Sequence, residues 1–268
     1  ADGMSGSGGG ILNDAGATLT VEGTVISGNS ASRAGGGIED NSGAATVVTL
    51  TNVELSNNTT GSAPGNGGGV HITGPGDMDI IGGMVMGNTA AAEGGGLWNG
   101  AGTMTVSGVT IDGNTASGPE SNQGGGGIYN LRGTVMVMNG TVISNNVADG
   151  MLGSGGGILN DSLATLVVME STIDANSAMR AGGGIEDNSR ESTTVVLTNV
   201  TLSNNTTGSM PGSGGGVHIT GAGNMDITGG AVTGNTAASE GGGLWNGSGM
   251  MTVTNVSIDA NVASGAGA

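Results

Sequence analysis

Gly8-Gly9-Gly10-Ile11-Leu12-Asn13 is the first of nine stretches in which three glycines are followed by an aliphatic residue. The triplets begin at Gly8, Gly35, Gly67, Gly94, Gly125, Gly155, Gly182, Gly214 and Gly241, at spacings of 27 to 32 residues. A period of this length marks a repeat architecture, in which each repeat is one turn of a stacked structure. Each triplet is followed by a second landmark: an aliphatic residue, two small or polar residues, then Asn. It ends at Asn29, Asn58, Asn88, Asn114, Asn146, Asn176, Asn205, Asn235 and Asn261. Seven and five residues before each landmark aliphatic lie two more apolar residues, such as Leu19 and Val21, Met104 and Val106, or Met136 and Met138. Spacing of two is strand periodicity, so each pair points to one side. The residue between them points outward: Thr20, Thr49, Asp79, Thr105, Val137, Val167, Val196, Asp226 and Thr252.

These spacings predict an all-β fold, a parallel β-helix (β-solenoid) of about nine coils. Each coil holds three short strands: one leaving the triplet, one carrying the pair, one ending at the Asn. At about 4.8 Å per coil the rod is on the order of 43 Å long. Right-handed winding is the default for parallel crossovers. Residues 1–268 read as one continuous solenoid with a five-coil super-repeat of 147 residues (1–147 and 148–268), because GGGILND, RAGGGIEDNS, GGGVHITG and GGGLWNG each recur at that distance. Even Ala1-Asp2-Gly3-Met4 matches Ala148-Asp149-Gly150-Met151.

Parallel stacking lays like residues on like. The nine landmark Asn are expected to form an internal amide ladder, each side chain bonding its neighbours above and below. A second, partial row runs through Asn13, Asp40, Asn99, Asn130, Asn160, Asp187 and Asn246, interrupted at Ile72 and Ile219. One position earlier lies a row expected to face outward as an exposed contact surface: Leu12, Glu39, His71, Trp98, Tyr129, Leu159, Glu186, His218 and Trp245.

Composition narrows the function classes. The chain has 61 Gly, no Cys, no Phe and three aromatics, so its core is narrow and aliphatic. There is no Gly-X-Y period, which excludes collagen. Only Arg33, Arg132, Arg180 and Arg190 oppose 21 acidic residues, for a net charge of −17. Nucleic acids and anionic membranes, which need basic patches, are therefore not expected partners. There is no apolar run of about 18 residues and so no spanning helix.

The paired landmarks resemble the GGA[ILV] and FxxN repeats of chlamydial polymorphic membrane proteins, and more broadly the right-handed β-helix repeats of bacterial surface adhesins. Gly stands for Ala in the triplet and Ile, Leu or Val for Phe, and the family's β-barrel is absent. The resemblance implies an extracellular, surface-displayed rod with structural or adhesive duty and no catalytic residue. It agrees with a non-enzymatic filament subunit or stalk whose copies stack coil 9 on coil 1, since neither end shows a capping helix.

The alternative is a carbohydrate-binding adhesin or a polysaccharide-acting enzyme. Its carboxylates would be Glu39-Asp40, Glu186-Asp187 and Asp77-Met78-Asp79, a pair of which is the usual sugar-cleaving device. Against it, one catalytic centre needs no second copy 147 residues on. His71 and His218 have no second ligand in register, so no metal site is expected from them. Ca²⁺ at the acidic corners Asp112, Asp174 and Asp259 is a further reading, without the nonapeptide that would make it strong. Asp79, Asp226 and Val137 break the outward Thr rows that an ice-binding face would need. Of the sequon residues, Asn57 and Asn204 face outward, whereas Asn58 and Asn205 belong to the ladder and are expected to be blocked.

Overall fold

In the computed structural model, which describes residues 3, 5–14, 16–41, 46–188 and 193–265, every element is a β-strand. Ala1, Asp2, Met4 and Arg190, named above, lie outside the described residues, as do Ser42 and Ser189 of the recurring motif. All strand pairings are parallel and join each coil to the next, which is the expected β-solenoid.

Sheet I holds nine strands, one after each triplet, from Ile11–Asp14 through Leu97–Asn99 to Leu244–Asn246. Its register is the one the repeats predict, with Ile11 on Ile38, Ile38 on Val70 and Leu97 on Ile128. Sheet II holds fourteen strands and contains both the aliphatic pairs and the landmark aliphatics. In coils 1, 4, 5, 6 and 9 these are separate second and third strands, as expected. In coils 2, 3, 7 and 8 the two are merged into one ten-residue strand, for example Val47–Ser56 and Thr194–Ser203. A left-handed residue bends the strand without ending it: Asn52 (φ 50°) and Asn199 (φ 52°). Sheet III was not foreseen. Its nine two-residue strands, such as Ser30–Ala31 and Thr115–Ala116, directly follow the landmark Asn. Two residues are too few to show a periodicity.

The core between the sheets is a set of stacked aliphatic rows. Ile38, Leu50, Leu55, Ile80, Met104, Ile111 and Ile143 are essentially sealed from solvent. In coil 5 the inward pair is Val135 and Val137, not Met136 and Met138, because Met104 pairs with Val135 and Val106 with Val137. The spacing from Val106 to Ile111 is five residues and from Val137 to Ile143 six. Asn139 and Gly140, both left-handed, take up the extra residue in a turn. Counting back from Ile143 therefore lands on the wrong face, since a slip of one residue inverts a strand. Met136 takes the outward place between Thr105 and Val167.

The triplets owe each glycine to a separate constraint. Gly35 has φ 62°. A Cβ on Gly36 would lie 2.4 Å from Gly68 O and 2.6 Å from Thr59 O, and one on Gly37 2.6 Å from Gly69 O. The first glycine supplies a left-handed turn and the other two a backbone-to-backbone approach that no side chain permits.

Candidate functional site

The landmark Asn form the ladder. Asn88 N and Nδ2 both donate to Asn114 Oδ1, at 2.9 Å each, and Asn114 N and Nδ2 donate likewise to Asn146 Oδ1. From Asn58 onward each Nδ2 also donates back to a carbonyl of the preceding coil, as Asn114 to Val85 O. The pattern runs from Asn29 through Asn58, Asn176, Asn205 and Asn235 to Asn261. Asn58, Asn88, Asn114, Asn146, Asn176, Asn205 and Asn235 are fully buried. The residue before each ladder Asn is left-handed in every coil: Gly28, Asn57, Gly87, Gly113, Asn145, Ala175, Asn204, Gly234 and Ala260. That turn aims the amide inward. The partial row is bonded too, with Asn13 donating to Asp40, Asn99 to Asn130 and Asn160 to Asp187.

The row expected to be exposed is not. Glu39, His71, Trp98, Tyr129, Leu159, Glu186 and His218 are all buried, and Trp245 is half-buried; only Leu12 is exposed. These side chains do leave the outer face of sheet I. Segments running from the sheet III strands to the next triplet cover them, carrying Arg33, Glu93 and Asn122 across the row. A periodicity argument reports which face of a strand a side chain leaves and cannot see a connector folded over that face.

Beneath this cover lies a charged and aromatic cluster. Glu39 Oε1 accepts from Arg33 Nη2 at 2.7 Å and from the Thr73 hydroxyl at 2.9 Å. Glu39 Oε2 lies 2.9 Å from His71 Nδ1, which is also 3.0 Å from the Thr73 hydroxyl. Burial alone would push the Glu39 carboxyl up. The hydrogen bond and charge of His71, with Thr73 and Arg33, outweigh it and hold the carboxyl below its ordinary value. His71 stacks on Trp98 at 4.1 Å, and Trp98 on Tyr129 at 5.9 Å. The Trp98 indole donates to Glu93, whose carboxyl burial pushes up to about 7 against that bond and with help from Asp161. The Tyr129 hydroxyl donates to Asp161 at 2.9 Å; burial, then the charges of Glu93 and Asp161, raise its pKa further.

The first half of the cluster is built twice. Arg180 reaches Glu186 at 2.8 Å, His218 reaches it at 2.8 Å, Thr220 donates to it and Trp245 stacks on His218 at 4.1 Å. Burial pushes Glu186 up, but the charge and hydrogen bond of His218, then Arg180 and Thr220, hold it below the usual range.

The candidate carboxylates do not converge. Glu39 and Asp40 leave opposite faces of one strand. Asp40 accepts from Asn13 and from the Thr46 hydroxyl at 2.5 Å, and Asp187 from Asn160 and Thr193 in the same way. Asp77 accepts a backbone N–H from Thr103. At the acidic corners Asp112 is bonded by Ser144 and Asn145, and Asp174 by Ser203 and Asn204. Among the described residues no three of His, Asp or Glu come together as metal ligands. Two shallow grooves open on the surface, of about 220 Å³ beside Val25, Glu54 and Met84 and of about 290 Å³ beside Ile11, Ile26 and Asn29; neither touches the cluster. No described helix is long and apolar enough to cross a membrane.

Fold and ladder together define a parallel β-solenoid repeat protein with an internal asparagine row. No family model, no curated protein and no solved structure matches the chain.

Proposed function

We propose that this chain is a non-enzymatic structural rod of the cell surface or extracellular space, built to be lengthened coil upon coil as a stalk or a head-to-tail filament. The observation that carries the reading is the polarity of the ladder. Each Asn sends its donors to the next coil and receives on Oδ1 from the previous one. Among the described residues no donor reaches Asn29 Oδ1 and no acceptor meets Asn261 N. A further coil of the same kind, from a continuing chain or from a second copy, meets complementary groups at either face. Such head-to-tail contacts do not close on themselves and propagate.

Two further features support it. The Arg–Glu–His–Trp part of the cluster is spent on fastening the cover and is duplicated 147 residues on, as structural modules are. The resemblance of the repeat landmarks to those of surface adhesins supports the location. The alternative, glycan binding or cleavage, has no convergent carboxylate pair in its favour. The test is light scattering and negative-stain imaging of the purified chain over a concentration series, with a glycan array and a reducing-sugar assay alongside. Concentration-dependent end-to-end rods with no glycan response are expected. Single short rods at millimolar concentration would remove self-assembly and leave the stalk; sugar release would overturn the structural reading.

A further inference from the structure

The outward face of sheet II is made of hydroxyl and β-branched residues in most coils. Methionines stand on this face in coils 3, 5, 6 and 9, and coils 5 and 6 bring three of them together. Met136 and Met138 leave the outer face of Thr134–Met138, and Met169 leaves the outer face of Thr165–Met169. All three are partly exposed, while the residues alternating with them, Val135, Val137, Leu166 and Val168, are buried. Val137 pairs with Val168, so Met138 and Met169 sit side by side one residue further on. Their strand neighbours are Ser107 on one side and Thr198 on the other.

Core requirements do not explain these methionines. Elsewhere the inward positions take Met readily, at Met78, Met104 and Met225. In coil 5 the register instead puts the valines inside and the thioethers outside. Met169 stands where the other five-coil unit has Glu22.

We propose that Met136, Met138 and Met169 form a thioether site for a soft monovalent cation, Cu(I). Residues two apart on a strand are about 6.7 Å apart and neighbours on adjacent strands about 4.8 Å. Three unbranched side chains rooted at those separations converge on one ion without backbone movement, since each Met has three rotatable bonds. Soft thioethers select Cu(I) over the harder divalent ions. The ligand set has no carboxylate, so it lies outside the His, Asp and Glu chemistry considered above. The chain's net charge of −17 favours any cation at its surface. Glu170, exposed and next in sequence, adds a counter-charge. A contrasting pair on the same sheet, Met84 and Met86, is also outward but has two thioethers only. Its neighbours are the oxygen donors Glu54, Ser56, Thr110 and Asp112.

The test is competition between the purified chain and the chromophoric chelator bicinchoninate for Cu(I) kept reduced by ascorbate. One equivalent is expected to move to the protein. The Met136→Leu/Met138→Leu/Met169→Leu variant should hold it at least tenfold more weakly, and Met84→Leu/Met86→Leu should hold it as the parent does. Circular dichroism checks that the variants fold. Independently of any variant, Ag(I), a redox-inert substitute, should shift the ¹³C-labelled methyl signals of these three methionines first. No transfer to the parent chain, equal binding by the triple variant, loss in the Met84/Met86 variant instead, or first shifts at other methionines would each overturn the site.

Discussion

At the scale of single residues the structure depends on left-handed positions and on buried amides. Ala175 occupies the left-handed place before a ladder Asn with φ 53°, where seven of the nine coils use Gly or Asn. An L-residue with a Cβ is disfavoured there by about 1 kcal/mol. Ala175→Gly is therefore expected to raise the thermal midpoint, a gain of about 0.5–1 kcal/mol. Asn114→Leu acts the other way. It leaves Asn88 N without its acceptor, takes one of two acceptors from Asn88 Nδ2 and the amide donor from Val85 O, while Asn146 Oδ1 keeps only the backbone N–H of residue 114, all in a sealed interior. At about 1–3 kcal/mol for each unsatisfied group, chemical denaturation should show a loss of several kcal/mol.

Three buried carboxyls give two opposite pH dependences. Glu39 and Glu186 titrate lower folded than unfolded, so their contribution is present above the ordinary carboxylate value of 4.5 and is lost as pH falls through the folded value. Glu93 titrates higher folded, at about 7. The unfolded chain then releases this proton first, and stability falls as pH rises from 4.5 to 7 and levels off above. Urea midpoints across that interval should slope downward in the parent chain and lose that component in Glu93→Gln.

At the scale of the element, a strand here is defined by its neighbour's register more than by its own sequence. Val135-Met136-Val137-Met138 is apolar at every position, so alternation cannot choose a face. The choice comes from pairing with Met104 and Val106 and from the turn at Asn139-Gly140 that absorbs one residue. Met136→Thr is expected to change stability by less than about 0.5 kcal/mol, as a surface substitution does. Val137→Thr, which buries a hydroxyl, should cost about 1–3 kcal/mol. Equal effects on the denaturation midpoint would refute the register. The same limit explains where four coils merge two expected strands and where a further short strand follows each ladder Asn. Ten-residue strands such as Asp77–Met86 continue through a left-handed bend that reads as a turn, and two-residue strands such as Val147–Ala148 carry no pattern.

At the scale of the whole molecule, a narrow rod carries 21 acidic residues against four Arg, and Arg33 and Arg180 are already committed to internal pairs. Self-repulsion along the rod is thus largely uncompensated. Adding salt to about 0.5 M, where screening acts within a few ångström, should raise the melting temperature. A fall would show that the ion pairs outweigh the repulsion. The five-coil unit is also visible as contact chemistry. The Arg–Glu–His–Trp cluster recurs in both units, whereas the bond from Tyr129 to Asp161 crosses from the coil that ends one unit to the coil that begins the next.

The amino-acid sequence by itself determined the coil count, the register of sheet I, the Asn ladder and the need for glycine in the triplets. These follow from strict repetition, because in a parallel stack each residue's neighbours are its own counterparts. Only the tertiary structure decided that the row from Glu39 to His218 is covered, that coil 5 turns its methionines outward, and that sheet III exists. Each of these depends on where a connector of variable length lies, and connector paths are set by packing against a neighbouring coil, which no periodicity within one coil encodes.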